Sequence, residues 1–335
     1  MNGISVIICC FNSGSKLIPT LTHLAKQHLL PAVDFEIILV DNNCTDNTVY
    51  TALTTWASLG NQYPLHVVEE PIPGLSYARD KGIETARYDY VVFCDDDNWL
   101  CSDYLSGVYH LFNARPEVAL VGGVGEAVLE APAPAWFTEL NGFGYAVTSE
   151  GRQTGYVDAI YGAGMGLRKQ AFLAVTKNKF SFILSDRLGN SLASGGDMEI
   201  CLLMCKAGYK IYYDDSLTFR HFLTANRLQW GYYLQLRRSF GKATAYLQLY
   251  TEIKDKSTKK KNRFKDFLSL VKFMITHPGY LLFPSHFKNA HCASFAQQVS
   301  MRLTCLFENN KMAVASTRIE EAFSNRGQMQ YSDNH

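Results

Sequence analysis

No stretch of about 20 uninterrupted apolar residues occurs in this chain, so the sequence offers no membrane-spanning helix. A leader pattern is missing too. Met1-Asn2-Gly3 runs into a short apolar segment with no basic n-region. Both absences set the expected working place as the cytoplasm or the cytoplasmic face of a membrane. There is no basic surplus either. The formal net charge is +1, too little to neutralise a run of phosphates, and nucleic acid is not expected as a partner. The nine cysteines contain no CxxC pair and are odd in number, so reduced thiols packed in the core are expected. Cys201 and Cys205, i and i+4 on an expected helix, have no His or Cys close in sequence to complete a metal site. No Walker A motif is present. The glycine run Gly162-Ala163-Gly164-Met165-Gly166 does not follow a first strand as a dinucleotide fingerprint would. These absences disfavour a P-loop NTPase and a Rossmann dehydrogenase. Charged residues make up only 19% against 47% hydrophobic, a balance that supports a packed core.

Strand and helix patterns alternate through the first half. Ile4 to Cys10 is a continuous apolar run of strand length, and Leu17, Leu21, Leu24 and Ala25 follow at helical spacing. Further strands are expected at 35–40, 65–68, 90–94 and 118–121, with helices at 45–59, 75–86 and 103–113. Such alternation implies βαβ units and a mostly parallel central sheet flanked by helices. Ligands then bind outside the carboxyl ends of the strands. The rhythm is lost between about 126 and 165, where Pro and Gly are frequent and a loop-rich substrate region is expected. Helices at 169–175 and 197–207 and a strand at 210–213 follow, and beyond 225 the pattern is helical. The expected division is an α/β unit over 1–225 and a mainly helical C-terminal appendage over 226–335.

Three acids stand in a row where a buried strand ends, in Phe93-Cys94-Asp95-Asp96-Asp97-Asn98. Carboxylates this close raise one another's pKa, and a divalent cation relieves the conflict. Hard oxygen ligands suit Mg²⁺ or Mn²⁺, ions that often bridge to phosphate oxygens. Alternation lets Asp95 and Asp97 share a side while Asp96 points away. The competing reading is an acidic turn that caps the next helix. Asp41, in Val40-Asp41-Asn42-Asn43, ends another strand on the same sheet edge. It suits a contact to a base or ribose, or a plain Asx-turn. In Ser194-Gly195-Gly196-Asp197-Met198-Glu199, two glycines permit close approach to a ligand while Asp197 starts a helix, where it also serves as an ordinary cap. His221 follows an irregular stretch and suits a metal. Arg227, Arg237 and Arg238 suit a diphosphate or a solvated helix face.

Taken in order, these segments resemble the family 2 inverting glycosyltransferases of the GT-A fold. The matching residues run from Ile4 through Asn12, from Glu36 through Thr48, and from Gly74 through Gly82. They continue with Asp95 to Asn98, Gly196 to Glu199, and His221, so the likeness spans about residues 4–240. The resemblance implies a nucleoside-diphosphate sugar as donor and a glycan or lipid-linked acceptor. It implies Mg²⁺ or Mn²⁺ as cofactor, with Asp97 and His221 as metal contacts. Phe11, Asn12, Asp41, Arg79, Asp95 and Asp96 would face the nucleotide, and Asp197 would be the general base. Two departures stand out. Cys9-Cys10-Phe11-Asn12 replaces the family's Pro-Thr-Tyr-Asn. Gly196 stands where a second acid usually precedes the base, which leaves Asp197 without an acidic neighbour in sequence to raise its pKa. A sugar nucleotidyltransferase, or a catalytically silent nucleotide-sugar-binding protein, shares much of this pattern.

The segment from Lys254 to Lys265 is densely basic, and the apolar run Phe267 to Pro284 follows it, broken by Lys272 and Pro278-Gly279. Peripheral contact with an anionic membrane is one expectation for it, and a solvated linker before a packed helix is the other.

Overall fold

The structure is a computed structural model, and it describes residues 2–30, 33–147, 153–176, 182–184, 186, 192–252 and 263–327. The basic stretch 254–262 lies outside the described residues. The expected alternation is present. It runs β1 (Gly3–Cys10), α1 (Leu17–Ala25), β2 (Asp34–Asp41), α2 (Thr48–Ser58), β3 (Leu65–Glu69), α3 (Leu75–Thr85) and β4 (Tyr90–Phe93). Then come β5 (Asn98–Leu100), α4 (Tyr104–Ala114), β6 (Val118–Leu129), α5 (Ala135–Glu139), β7 (Gly155–Val157), β8 (Gly166–Arg168), α6 (Lys169–Thr176), α7 (Gly196–Lys206) and β9 (Lys210–Leu223). The C-terminal part is helical, with α8 (Trp230–Glu252), α9 (Arg263–Ile275), α10 (Pro278–Leu282), α11 (Ala290–Phe307) and α12 (Asn309–Gly327).

The strands form one sheet in the order β3-β2-β1-β4-β8-β6-β9-β5, with β7 on β9. Pairing is parallel from β3 to β4 and between β6 and β9, and β8 runs antiparallel between β4 and β6. Alternate residues of β1 serve opposite faces. Ile4, Val6 and Ile8 pack with Leu17, Leu21 and Trp56 from α1 and α2. Ile7 packs with Ala78 and Ile83 of α3 and Ile200 of α7. Both faces are therefore covered, which explains why β1 is a continuous apolar run.

Several elements differ from expectation. Helix α2 starts at Thr48 and not at residue 45, because Asp46 accepts the Thr48 N–H (3.0 Å) and its side chain closes the turn. β6 and β9 continue well beyond 121 and 213, paired to each other as far as Leu129 and Leu223. The register jumps between Gly122–Tyr213 and Val124–Thr218, so the polar residues Asp214 to Ser216 form a bulge and the strand resumes after them. His221 therefore sits on a strand and not after an irregular segment. Gly123 admits this bulge, since a Cβ there would lie 1.9 Å from the Leu217 carbonyl oxygen. The core also runs across residue 225. Trp136 and Phe137 of α5 pack with Leu228, Trp230 and Tyr233.

Candidate active site

A cavity of about 890 Å³ opens at the carboxyl ends of β1, β2 and β4. Asp95, Asp96 and Asp97 line it together, and so do Arg79, Asp197, His221 and Phe11. Two of the three acids form ion pairs. Asp96 accepts the Lys16 ammonium at 2.9 Å. Asp97 is 3% exposed and meets Arg227 Nη2 at 3.1 Å through Oδ2. Burial by itself would raise the Asp97 carboxyl, but His221, Arg227 and Lys16 outweigh it and hold the group below the ordinary carboxylate range. Asp95 has no such cluster. Burial pushes it up to about 6, against the pull of Arg79 and with the help of Asp97 and Asp96.

Strand pairing sets the distance between Asp97 and His221. β5 lies antiparallel to β9 with Asn98 opposite His221, and the Phe222 N–H donates to the Asp97 carbonyl at 2.9 Å. The imidazole Nδ1–H donates to the Tyr145 carbonyl. That leaves Nε2 as the nitrogen that faces Arg227 Nη1 at 3.0 Å and Asp97 Oδ1 at 3.5 Å. Arg227 thus bridges the carboxylate and the ring. Arg237 does not join this group; it stacks over Phe143, 4.7 Å from the ring centroid, and Arg238 is exposed.

The second half of the site is built around Arg79 and α7. Arg79 is buried, lies over the Phe93 ring, and pairs with Asp186 at 2.8 Å. The other oxygen of Asp186 accepts the Gly196 N–H at the start of α7 (2.9 Å). Asp197 accepts the N–H groups of Gly162 (3.1 Å) and Met198 (2.8 Å). Burial raises the Asp197 carboxyl, the Asp186 charge adds to that, and Arg79 opposes it. The acid that is missing beside Asp197 in sequence is therefore present in space. A Cβ on Gly196 would lie 2.3 Å from an Asp186 oxygen, so the space for a side chain at 196 is already filled by that carboxylate. Glu199 plays no part in the cavity. It is fully buried and accepts from the Ile183 and Leu184 N–H groups and the Tyr250 hydroxyl.

The residues expected to face a nucleotide are less directly placed. Phe11 is 44% exposed at the cavity edge. Asn12 and Asp41 close the loop beside it. Asp41 accepts the Cys44 N–H at 2.9 Å, an Asx-turn, and Asn12 accepts the Thr45 N–H at 2.8 Å. From that turn it is Asn42 that lines the cavity, and its amide holds Glu70, Ile72 and Gly74 in place. Sequence reasoning missed Lys16, Asn42 and Asp186. Among the described residues no three His, Cys, Asp or Glu side chains converge as a metal site, Cys201 and Cys205 included.

Comparison with known proteins decides the family. Residues 5–172 match the sequence model of glycosyl transferase family 2, just over half of the chain. This chain belongs to glycosyl transferase family 2. The cholesterol galactosyltransferase of Borreliella burgdorferi is 33% identical over 108 residues, 32% of this chain and 28% of that protein. The poly(ribitol-phosphate) beta-N-acetylglucosaminyltransferase TarP of Staphylococcus aureus is 25% identical over 125 residues, 37% of each chain. The match thus spans well under half the length of these relatives. The crystal structure of S. aureus TarS superposes with a TM-score of 0.50 at 15% identity, over 96% of this chain and 54% of that one. The mixed α/β architecture with a mostly parallel sheet is the GT-A fold of this family member.

Proposed function

We propose that this family 2 member moves a glycosyl group from a nucleoside-diphosphate sugar to a hydroxyl of a glycan or lipid-linked acceptor, with inversion. The observation that carries this is the placing of Asp197 and the Asp97–His221–Arg227 cluster on one cavity at the strand ends. Asp197, already raised by burial, accepts the acceptor's proton as that oxygen attacks the anomeric carbon. Its two N–H bonds fix which way the carboxylate faces. Arg79 and Arg227 supply positive charge to the leaving diphosphate; Phe11, Asp95 and Asp96 face the nucleotide, and Asn12 and Asp41 shape the loop behind them. One displacement inverts the anomeric centre.

The donor set suits Mg²⁺ or Mn²⁺. Asp97 and His221 offer one carboxylate and one imidazole, and they already engage a cation, the Arg227 guanidinium. Two protein ligands suffice for these ions when phosphate oxygens and water complete the shell. When bound there, the ion adds positive charge beside the departing diphosphate.

We place the enzyme at the cytoplasmic face of a membrane, in peripheral contact. No helix among the described residues is long and apolar enough to cross one. Yet Ile275, Leu282 and Phe283 at α9–α10 are 69%, 66% and 56% exposed. The basic run 254–265 directly precedes them in sequence, a combination that suits an anionic lipid surface. The test of the whole reading is a screen of nucleotide sugars with and without chelator. Metal-dependent release of a nucleoside diphosphate is expected. Release of pyrophosphate, or no turnover with any donor, overturns it.

A further inference from the structure

One face of α8 lines the same cavity as the acids. Leu236, Phe240, Ala243 and Leu247 recur there at helical spacing. Phe143 and Met198 extend this apolar wall. Two close approaches build it into the site. A Cβ on Gly195 would lie 2.8 Å from that of Ala243, and one on Gly144 would lie 2.7 Å from the Phe240 ring. Both glycines have positive φ, +111° and +90°, so conformation and space alike require glycine. Gly195 is two residues before Asp197. Gly144 precedes Tyr145, whose carbonyl holds His221. The wall is therefore tied to both halves of the site and begins beside the proposed base.

Its chemistry excludes the donor. A charged diphosphate gains nothing from aliphatic carbon, and the acids and arginines that suit it lie elsewhere in the cavity. A bare polyol fits little better, because each buried hydroxyl would need a partner. Hydroxyls on this side are already engaged, which leaves Gln297 Oε1 beside the wall as a polar atom with no partner among the described residues, enough for one hydroxyl and not for a polyol. Thr244 donates to the Phe240 carbonyl at 2.7 Å, and Ser194 pairs with Ser239 at 3.1 Å. We infer that the acceptor is an amphiphile, with its reacting hydroxyl at Asp197 and an aliphatic body laid along the α8 face. The identity of the occupant as acceptor rests on the transferase reading above.

The probe is n-octyl β-D-glucopyranoside below its micellar concentration, against the methyl and phenyl glucosides. Binding to the full chain is read by saturation-transfer NMR. Each methylene set against the wall tightens binding by up to about fourfold, so octyl should exceed methyl by at least about tenfold and should also exceed phenyl. Leu247→Asp should reduce octyl to the methyl level, while Leu53→Ser, on the exposed side of α2 away from the cavity, should change nothing. Should the Asp variant fail to melt cooperatively, Leu247→Trp fills the groove without charge and serves in its place. Equal binding of octyl and methyl overturns the inference. So does tighter binding of phenyl than octyl, or loss of octyl binding in Leu53→Ser with retention in Leu247→Asp. Nucleotide binding is read separately, from the melting shift with UDP and other nucleoside diphosphates. A nucleotide response without chain-length dependence overturns the amphiphile alone. Chain-length dependence without any nucleotide response overturns the transferase reading and with it the occupant's role as acceptor.

Discussion

Replacing Asp186 by Asn removes one negative charge from the centre of the site and keeps the side chain's shape. Both partners of the Arg79–Asp186 pair are nearly buried, with side chains 10% and 9% exposed, so surface ion-pair energies do not apply. Removing one partner of a buried pair costs about 3–5 kcal/mol. Arg79 still has Asp95 and Asp197 near it, which sets the expectation at the lower end, about 3 kcal/mol. The geometry allows no escape by rotation. An amide oxygen turned to Arg79 turns its NH₂ against the Gly196 N–H, and the reverse orientation sets NH₂ against the guanidinium. A melting temperature lower by on the order of 5 °C should follow. Catalysis should change in a different way. The proposed base, Asp197, works only when ionised, and the Asp186 charge, after burial, is what raises its carboxyl. Without it the Asp197 pKa falls, and the acid limb of the kcat/KM profile moves to lower pH. Arg79, released from its partner, acts in the same direction. Differential scanning calorimetry and a pH–rate series measure the two effects. A variant that melts within about 1 °C of wild type and keeps its acid limb in place would refute both the pairing energy and the coupling to Asp197.

Asp95→Asn should act oppositely on stability. Its folded pKa of about 6 lies above the unfolded value, so ionisation at pH 7 opposes folding, and the neutral variant should be more stable by up to about 3 kcal/mol in chelator. That advantage should shrink as the pH falls through 6 towards 4; a variant less stable than wild type at pH 7 contradicts it. Asp97→Asn should abolish stimulation of turnover by Mg²⁺ or Mn²⁺, and wild-type turnover in excess EDTA would end the metal assignment. Asp197→Asn should lower kcat by about 10²–10⁴ with donor Kd nearly unchanged; collapse of donor binding with kcat retained would make it a binding residue. Wild type should float with anionic vesicles at low salt, and a Leu282→Ser, Phe283→Ser double variant should float less; equal soluble recovery with and without anionic lipid removes the membrane contact.

The sheet's first strands were legible because each is an apolar run buried on both faces, and β1, β2 and β4 lie where those runs occur. β5 was hidden because its three residues follow directly on an acid run that looks like a turn. β9 was cut short at Tyr213 because the bulge residues Asp214 to Ser216 are polar and break the pattern. At the site, the ordered motifs pointed to Asp95–Asp97, Asp197 and His221, and the cavity gathers all of them. Asp186 left no such trace. Nothing around it in sequence signals a buried ion pair, and its one mark is indirect: the missing side chain at Gly196. Asn42 was passed over for Asp41 because charge attracts attention, whereas an amide that satisfies three backbone groups looks like any turn residue.

The pairing of β5 with β9 also bears on how the protein is made. Asp97 and His221 are separated by more than a hundred residues, and strand register alone brings them together. During synthesis the acid run emerges long before its partner strand, so the early chain holds the carboxylates without their imidazole and guanidinium. A slip of one residue in β9 would bring Arg220 or Phe222 opposite Asn98 in place of His221, with the side-chain direction reversed. The bulge at 214–216 guards against that slip, because Leu217 just after it fits only where Gly123 leaves room. A small glycine thereby acts as the gauge that sets His221 against Asp97, a pairing that can form only once β9 has been made.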